Sequence, residues 1–348
     1  MSLLNLLEKS DKEKFFSLLA CPEEGDFLAA VKNSGIQTQC IPMASPKTGD
    51  IRQNLKTLVV FLKLIRQKNI SLVYANGLKA AFYAGIAAGL SGIPLAWHVR
   101  VIASGGWPER LLALLAKRII VNSRAVADKF GWCKSKVNLI YNGVDLEVFH
   151  PGVNGSTIRK EFNLKEEVPL VGMVAGIIPW KGHRYFLEAA REIRNKREVK
   201  FMLVGEGEAE HEKYKQELRQ IVEKLGLAQD VIFTGFRRDI PELLAAFDVL
   251  VLPSLEEAFG RVVIEAMACA KPVVATRGGG LPEIIRDKET GLLVPVKDPQ
   301  AIAGAVLQLL ADKALARQMG LSGRKRAEEM FDILTHVRKI EELYQQLI

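Results

Sequence analysis

The sequence predicts an α/β protein made of two doubly wound domains, on two observations. Short apolar runs of β character alternate with longer helical patterns almost throughout, the mark of parallel sheets covered by helices. The alternation breaks once, at Tyr141–Ser156, where Asn142-Gly143 and Pro151-Gly152 supply turn chemistry and residues 153–156 are linker-like. At 348 residues the chain can hold two cores of ordinary size. The expected division is residues 1–148, 149–330 and a closing stretch, 331–348.

Element by element, the first domain should carry strands at Phe15–Leu19, Thr38–Ile41, Leu72–Tyr74, Leu95–His98, Arg118–Val121 and Val137–Ile140. The clearest helices between them are Ile51–Asn69 and Lys79–Leu90. In the former, Leu55, Leu58, Val59, Leu62 and Ile65 mostly form one stripe, which favours packing over a membrane-facing role. The second domain restarts with strands near Leu170–Val174, Phe201–Val204, Val231–Thr234, Val249–Leu252, Pro272–Ala275 and Gly291–Val294.

Composition is ordinary for a globular protein, 49% hydrophobic and 25% charged. No stretch approaches the ~20 apolar residues of a membrane span, and the first residues lack a secretory pattern. Cys21, Cys40, Cys133 and Cys269 show no paired spacing, which suits a reducing cytoplasm and argues against zinc. The net charge of +8 has no long basic run or interleaved aromatic platform behind it, so nucleic acid is not an expected partner. A diphosphate or a membrane surface stays open, the latter as a peripheral contact at its cytoplasmic face.

The most informative segment is Ser254–Ala268. Pro253 ends a strand, and a helical pattern resumes near Gly260 with Val263, Ile264 and Met267 on one stripe. Glu257 then lies on the strand-to-helix loop and Glu265 inside the helix, both toward one pocket. The amides of Gly260, Arg261 and Val262 open that helix, a position suited to an anion. Carboxylates that accept sugar hydroxyls, beside amides that accept phosphate, describe a nucleotide-sugar site.

Further motifs stand in order: Tyr141-Asn142-Gly143-Val144-Asp145, Pro179-Trp180-Lys181-Gly182, Val204-Gly205-Glu206-Gly207, Gly278-Gly279-Gly280-Leu281-Pro282-Glu283-Ile284 and Thr290-Gly291-Leu292-Leu293-Val294. With Glu257…Glu265, this series resembles the family 4 glycosyltransferases of GT-B fold over nearly the whole chain. The resemblance implies two Rossmann-like domains facing across a cleft, with Phe331–Ile348 as a helix crossing back to the first. It also implies a hexosyltransferase-type enzyme (EC 2.4) that retains anomeric configuration and uses a nucleoside diphosphate sugar, with no cofactor. The acceptor would be a glycan or a lipid-linked molecule of envelope or polysaccharide synthesis.

By that resemblance Glu257 contacts the transferred sugar and Glu265 the ribose. Lys181 is placed to reach the diphosphate as a point charge. Gly279 and Gly280 allow close backbone approach, and Gly205, Phe236 and Arg237 complete the donor side, with Phe233–Arg238 near the base. His98, at a strand end, is expected beside the reacting sugar, and Asn76 and Lys79 on the acceptor side. No Asp-x-Asp occurs, so a metal held by that motif is not indicated.

Two features depart from the pattern. The family usually has an arginine five residues before the lysine, where this chain has Gly176, and Arg184 and Arg261 are the candidate substitutes. The first residues resemble the family's first helix, so the strand expected before it is missing. The first sheet should then have no central member between the strands at Phe15–Leu19 and Leu72–Tyr74. A non-catalytic nucleotide-sugar-binding protein and a nucleotide-sugar epimerase of the same fold are the competing readings.

Overall fold

The computed structural model describes residues 2–45, 50–207 and 211–348. The chain forms two compact units, Met1–Gly143 with Ile333–Ile348, and Val144–Asp332.

The first unit runs α1 (Ser2–Lys9), β1 (Leu18–Cys21), α2 (Asp26–Asn33), β2 (Gln37–Cys40), α3 (Ile51–Gln67), β3 (Val73–Asn76), α4 (Leu78–Leu90), β4 (Leu95–Val99), α5 (Trp107–Leu115), β5 (Arg118–Val121), α6 (Arg124–Ala127) and β6 (Val137–Leu139). Its strands fall into two parallel sheets, β1-β2 and β3-β4-β5-β6. Among the described residues no strand joins β1 to β3, at the place where the sequence predicts the gap. Successive residues of β4 and β5 point to opposite faces, as strand geometry requires. Ala96 and Ile120 pack with Leu6 of α1 and with Val337 and Ile340 of the last helix. On the α3–α4 side, Phe61, Ile65, Tyr83 and Ala87 pack with Ile41 and Val73.

The second unit runs α7 (Ser156–Glu161), β7 (Leu170–Val174), α8 (His183–Arg194), β8 (Lys200–Val204), α9 (Glu212–Lys224), β9 (Val231–Gly235), α10 (Ile240–Ala246), β10 (Val249–Leu252), α11 (Arg261–Ala268), β11 (Val273–Thr276), α12 (Leu281–Ile284), β12 (Leu292–Val294), α13 (Pro299–Ala311) and α14 (Lys313–Met330). The chain then returns to the first unit as α15 (Ile333–Leu347). The sheet order is β12-β11-β10-β7-β8-β9, all parallel. The four residues of β10 are all buried. Phe186, Leu187 and Ile193 of α8 share a core with Leu218 of α9 and Ile302 of α13. Asp298 caps α13, its side chain accepting from the Ala301 amide at 2.8 Å.

Helix α3 ends at Gln67 rather than Asn69, because Asn69 adopts a positive φ of 50°. Asn76, expected just past β3, is its last residue. Strand β1 starts at Leu18 rather than Phe15, because Phe15 instead stacks edge-on against Tyr344 of α15.

Candidate active site

Strand order reverses between β7 and β10, and ligands of open α/β sheets bind beyond the carboxyl ends of the strands at such a point. The loops after β7, β10 and β11 meet there. Gly182, before α8, has φ 80°, and a Cβ on it would lie 2.0 Å from the Pro253 carbonyl oxygen. Only glycine lets the lysine turn press against the end of β10. The Leu255 amide donates to the Trp180 carbonyl at 2.8 Å, which fixes the two loops together.

Lys181 and Glu257 meet in this frame, Nζ to Oε2 at 2.5 Å, although 76 residues apart in sequence. The Ser254 hydroxyl donates to the same carboxylate oxygen at 3.1 Å. Ser254 is fully buried, and its carbonyl accepts from the Thr276 hydroxyl at 2.5 Å. Sequence reasoning gave Ser254 no role. Its signal was the spacing of three residues to Glu257 on one short loop. Glu265, one side of α11, pairs with Arg261 at 2.9 Å. Both glutamates are buried, at 9% and 8% exposure.

The glycines of the β11–α12 loop act differently from expectation. Gly279 has φ 59°, and a Cβ on it would lie 2.1 Å from the Glu257 carbonyl oxygen. The Gly280 amide donates to that carbonyl at 2.7 Å. The close approach is thus to the backbone of Glu257, and Gly280 is engaged in fixing it rather than open to a phosphate. Gly260 opens α11 with φ 86°, followed by the half-buried Arg261 and Val262.

On the β9 side, Gly205 donates its amide to the Gly235 carbonyl at 2.9 Å, and the Phe236 ring is 68% exposed. Arg237, expected on the donor side, is held by carboxylates of its own unit. Its guanidinium is bonded to Glu161 at 2.5 and 2.8 Å and to Asp239 at 2.6 and 2.9 Å, so it ties α7 to the β9 loop. Arg184 likewise turns to Glu188 at 2.7 Å on the exposed side of α8. Arg261, the other candidate, pairs with Glu265 beside the Lys181–Glu257 pair.

In the first unit, His98 of β4 is fully buried. Its Nδ1 lies 2.5 Å from the Tyr74 hydroxyl and 3.4 Å from Arg100 Nη2. The His336 ring of α15 lies 6.5 Å away, its Nδ1 2.7 Å from the Tyr141 carbonyl. Burial, then Arg100 and His336, hold His98 well below the usual histidine range. Burial takes His336 down to about 4. His98 is thus a neutral histidine tied to partners of its own unit. Asn76 is half-buried at the end of β3, and Lys79 is exposed on the first turn of α4.

Two family models cover nearly the whole chain: Glycosyltransferase Family 4 matches residues 2–148, and Glycosyl transferases group 1 matches residues 155–326. The chain is a group 1, family 4 glycosyltransferase. This glycosyltransferase is 27% identical to the UDP-Gal:alpha-D-GlcNAc-diphosphoundecaprenol alpha-1,3-galactosyltransferase of Escherichia coli, over 99% of this chain and 92% of that protein. It is 30% identical to the alpha-maltose-1-phosphate synthase of Mycolicibacterium smegmatis, over 72% and 70%. Among solved structures it resembles Anabaena Alr3699/HepE in complex with UDP and glucose, at a TM-score of 0.89 and 27% identity over 99% of this chain and 96% of that one. The GT-B fold of the glycosyltransferase follows from these likenesses and from its two parallel α/β units. Among the described residues no helix is long and apolar enough to cross a membrane.

Proposed function

We propose that this glycosyltransferase takes a nucleoside diphosphate sugar, with uridine as the nucleoside. It passes the sugar, with retention of configuration, to a lipid-linked or glycan acceptor at the cytoplasmic face of a membrane. The observation that carries the donor reading is the pairing of Lys181 with Glu257, and of Arg261 with Glu265, at the strand-order reversal. The uridine nucleotide and the diphosphate-lipid acceptor are supported by what HepE binds and by what the Escherichia coli relative is named for.

Donor binding would exchange each internal pair for ligand contacts. A carboxylate accepts two hydroxyl hydrogen bonds and donates none, so Glu265 suits a ribose diol and Glu257 the transferred sugar. Lys181 and Arg261 are then freed toward the diphosphate. As the bond from the anomeric carbon to the diphosphate oxygen breaks, negative charge grows on that oxygen, and preformed cations stabilise it. The acceptor oxygen bonds to the same face of the anomeric carbon, and its proton passes to the departing phosphate oxygen. No side chain is placed as a covalent nucleophile in this route.

The test is a screen of uridine, guanosine and adenosine diphosphate sugars for binding and slow hydrolysis, with the anomer of the first product read by NMR. The expected result is binding of a uridine diphosphate sugar and a product of unchanged configuration. Inverted product overturns retention, and failure to bind any of these donors overturns the donor reading.

A further inference from the structure

The chain's charge of +8 is unevenly placed. Between Ile51 and Arg118 stand ten lysines and arginines and a single acid, Glu109, so this stretch alone exceeds the whole surplus. Glu109 is matched by Lys129 at 2.8 Å. The stretch builds α3, α4 and α5, which pack side by side in the order α3-α4-α5.

Helix α3 has two faces. Thr57, Phe61 and Ile65 are buried against the α4 side. At 100° per residue the opposite face presents Leu55 and Val59, 56% and 47% exposed, among Arg52, Lys56, Lys63 and Arg66. These four cations are exposed, and among the described residues none pairs with a carboxylate. Ile51, 72% exposed, extends the apolar line. The neighbouring helices also expose large apolar side chains, Leu90 at the end of α4 and Trp107 and Leu114 on α5, and Trp107 lies edge-on against Phe82 of α4. The stripe expected from sequence is thus divided: Leu58, Leu62 and Ile65 pack in the core, whereas Leu55 and Val59 face solvent.

A solvated helix face ordinarily mixes both signs of charge and shows few large aliphatics. Nucleic acid accounts for the cations but not for exposed leucines and valines without a stacking platform. An apolar protein partner accounts for the aliphatics but not for the exclusion of acids. A lipid surface accounts for both, since aliphatic tips enter the headgroup boundary while lysine and arginine meet anionic headgroups.

We propose that the α3–α5 face of the first unit docks peripherally on an anionic bilayer, with the solvent face of α3 as its centre. This deepens the membrane-side function proposed above and rests on that reading for its purpose, but its test needs neither donor nor turnover. Sedimentation of the full chain with vesicles of phosphatidylglycerol and phosphatidylcholine, beside phosphatidylcholine alone, reads it. Each basic side chain at an anionic surface strengthens partitioning about fivefold. The variant R52Q/K56Q/K63Q/R66Q should therefore lose roughly two to three decades of partitioning, and added salt should weaken the parent in the same direction.

The variant L55S/V59S should also bind less tightly while keeping the salt response. Thermal melting of both variants, on surface positions, should match the parent, which separates lost docking from a lost fold. Equal binding to neutral and anionic vesicles, no binding to either, or unchanged binding by the four-fold variant overturns the proposal. So does retention on a DNA or RNA duplex while anionic vesicles are ignored, which would assign the face to nucleic acid.

Discussion

Replacing Lys181 by methionine removes the cation that Glu257 meets at 2.5 Å. The two side chains are 21% and 11% exposed, so the carboxylate would be left with the Ser254 hydroxyl as its remaining side-chain partner in the site. Removing one member of a buried pair costs about 3–5 kcal/mol. Lys181 retains some contact with water, so a loss just below that range, about 2–3 kcal/mol, is expected here. Adding Glu257→Gln removes the stranded charge and should recover about half of the loss. Turnover should behave differently. Loss of a leaving-group cation costs about 3 kcal/mol of transition-state stabilisation, roughly a hundredfold in rate, and the second substitution should restore none of it. Denaturant unfolding of the parent, both single variants and the double variant, alongside donor hydrolysis rates, completes the cycle. Additive stabilities would show that Lys181 and Glu257 are not coupled. Recovery of turnover in the double variant would show that Lys181 only neutralises Glu257 and does not act on the diphosphate.

Gly176→Arg should raise donor turnover, by up to about a hundredfold. The Gly176 backbone lies outside the left-handed region, and among the described residues a Cβ there would meet only the Glu206 carbonyl oxygen at 3.6 Å; an unchanged rate in the folded variant would show that another cation already serves. Gly279→Ala forces a left-handed backbone on alanine, about 1–2 kcal/mol, and drives its Cβ into the Glu257 carbonyl. Turnover should fall at least ~10-fold with the fold retained by circular dichroism, and a fully active variant would show that the loop tolerates displacement. His336 is held by burial at about 4 against ~6.5 when unfolded. The unfolded chain then takes up the proton first as pH falls. His336 thus contributes about 3 kcal/mol above pH ~6.5, lost progressively as the pH falls toward 4, and His98 adds in the same direction. Denaturant unfolding at a series of pH values checks this, and a flat stability profile across that interval would contradict it.

What could be read from sequence follows a physical division. Val249–Leu252, Arg118–Val121 and Leu170–Val174 are strands with the expected bounds, because continuous apolar β-rich runs meet breakers or polar residues at their ends. The positions of Lys181, Glu257 and Glu265 at strand-to-helix junctions were legible because each stands at a short offset from such a strand end. Their pairing was not, since Lys181 and Glu257 are joined only through the sheet order. The Arg237 ion pair was hidden for the same reason: its partner Glu161 lies 76 residues earlier, and a surface arginine in a loop carries no local sign of such a pair. The surroundings of His98 depend on α15, which returns after the whole second unit. Phe15 was drawn into the first strand by its apolarity, whereas its ring packs on Tyr344 of that same helix.

The account stands most directly on Glu265 as the ribose ligand and Glu257 as the ligand of the transferred sugar. Titration calorimetry with UDP on the parent, Glu265→Ala and Glu257→Ala measures this without an acceptor. The account predicts that Glu265→Ala weakens UDP binding by about tenfold or more, for the loss of hydrogen bonds to a charged acceptor. Glu257→Ala should bind UDP within a few-fold of the parent and lose turnover instead. If all three proteins bind UDP alike, or if the parent binds no nucleoside diphosphate, the donor site is not where these residues place it.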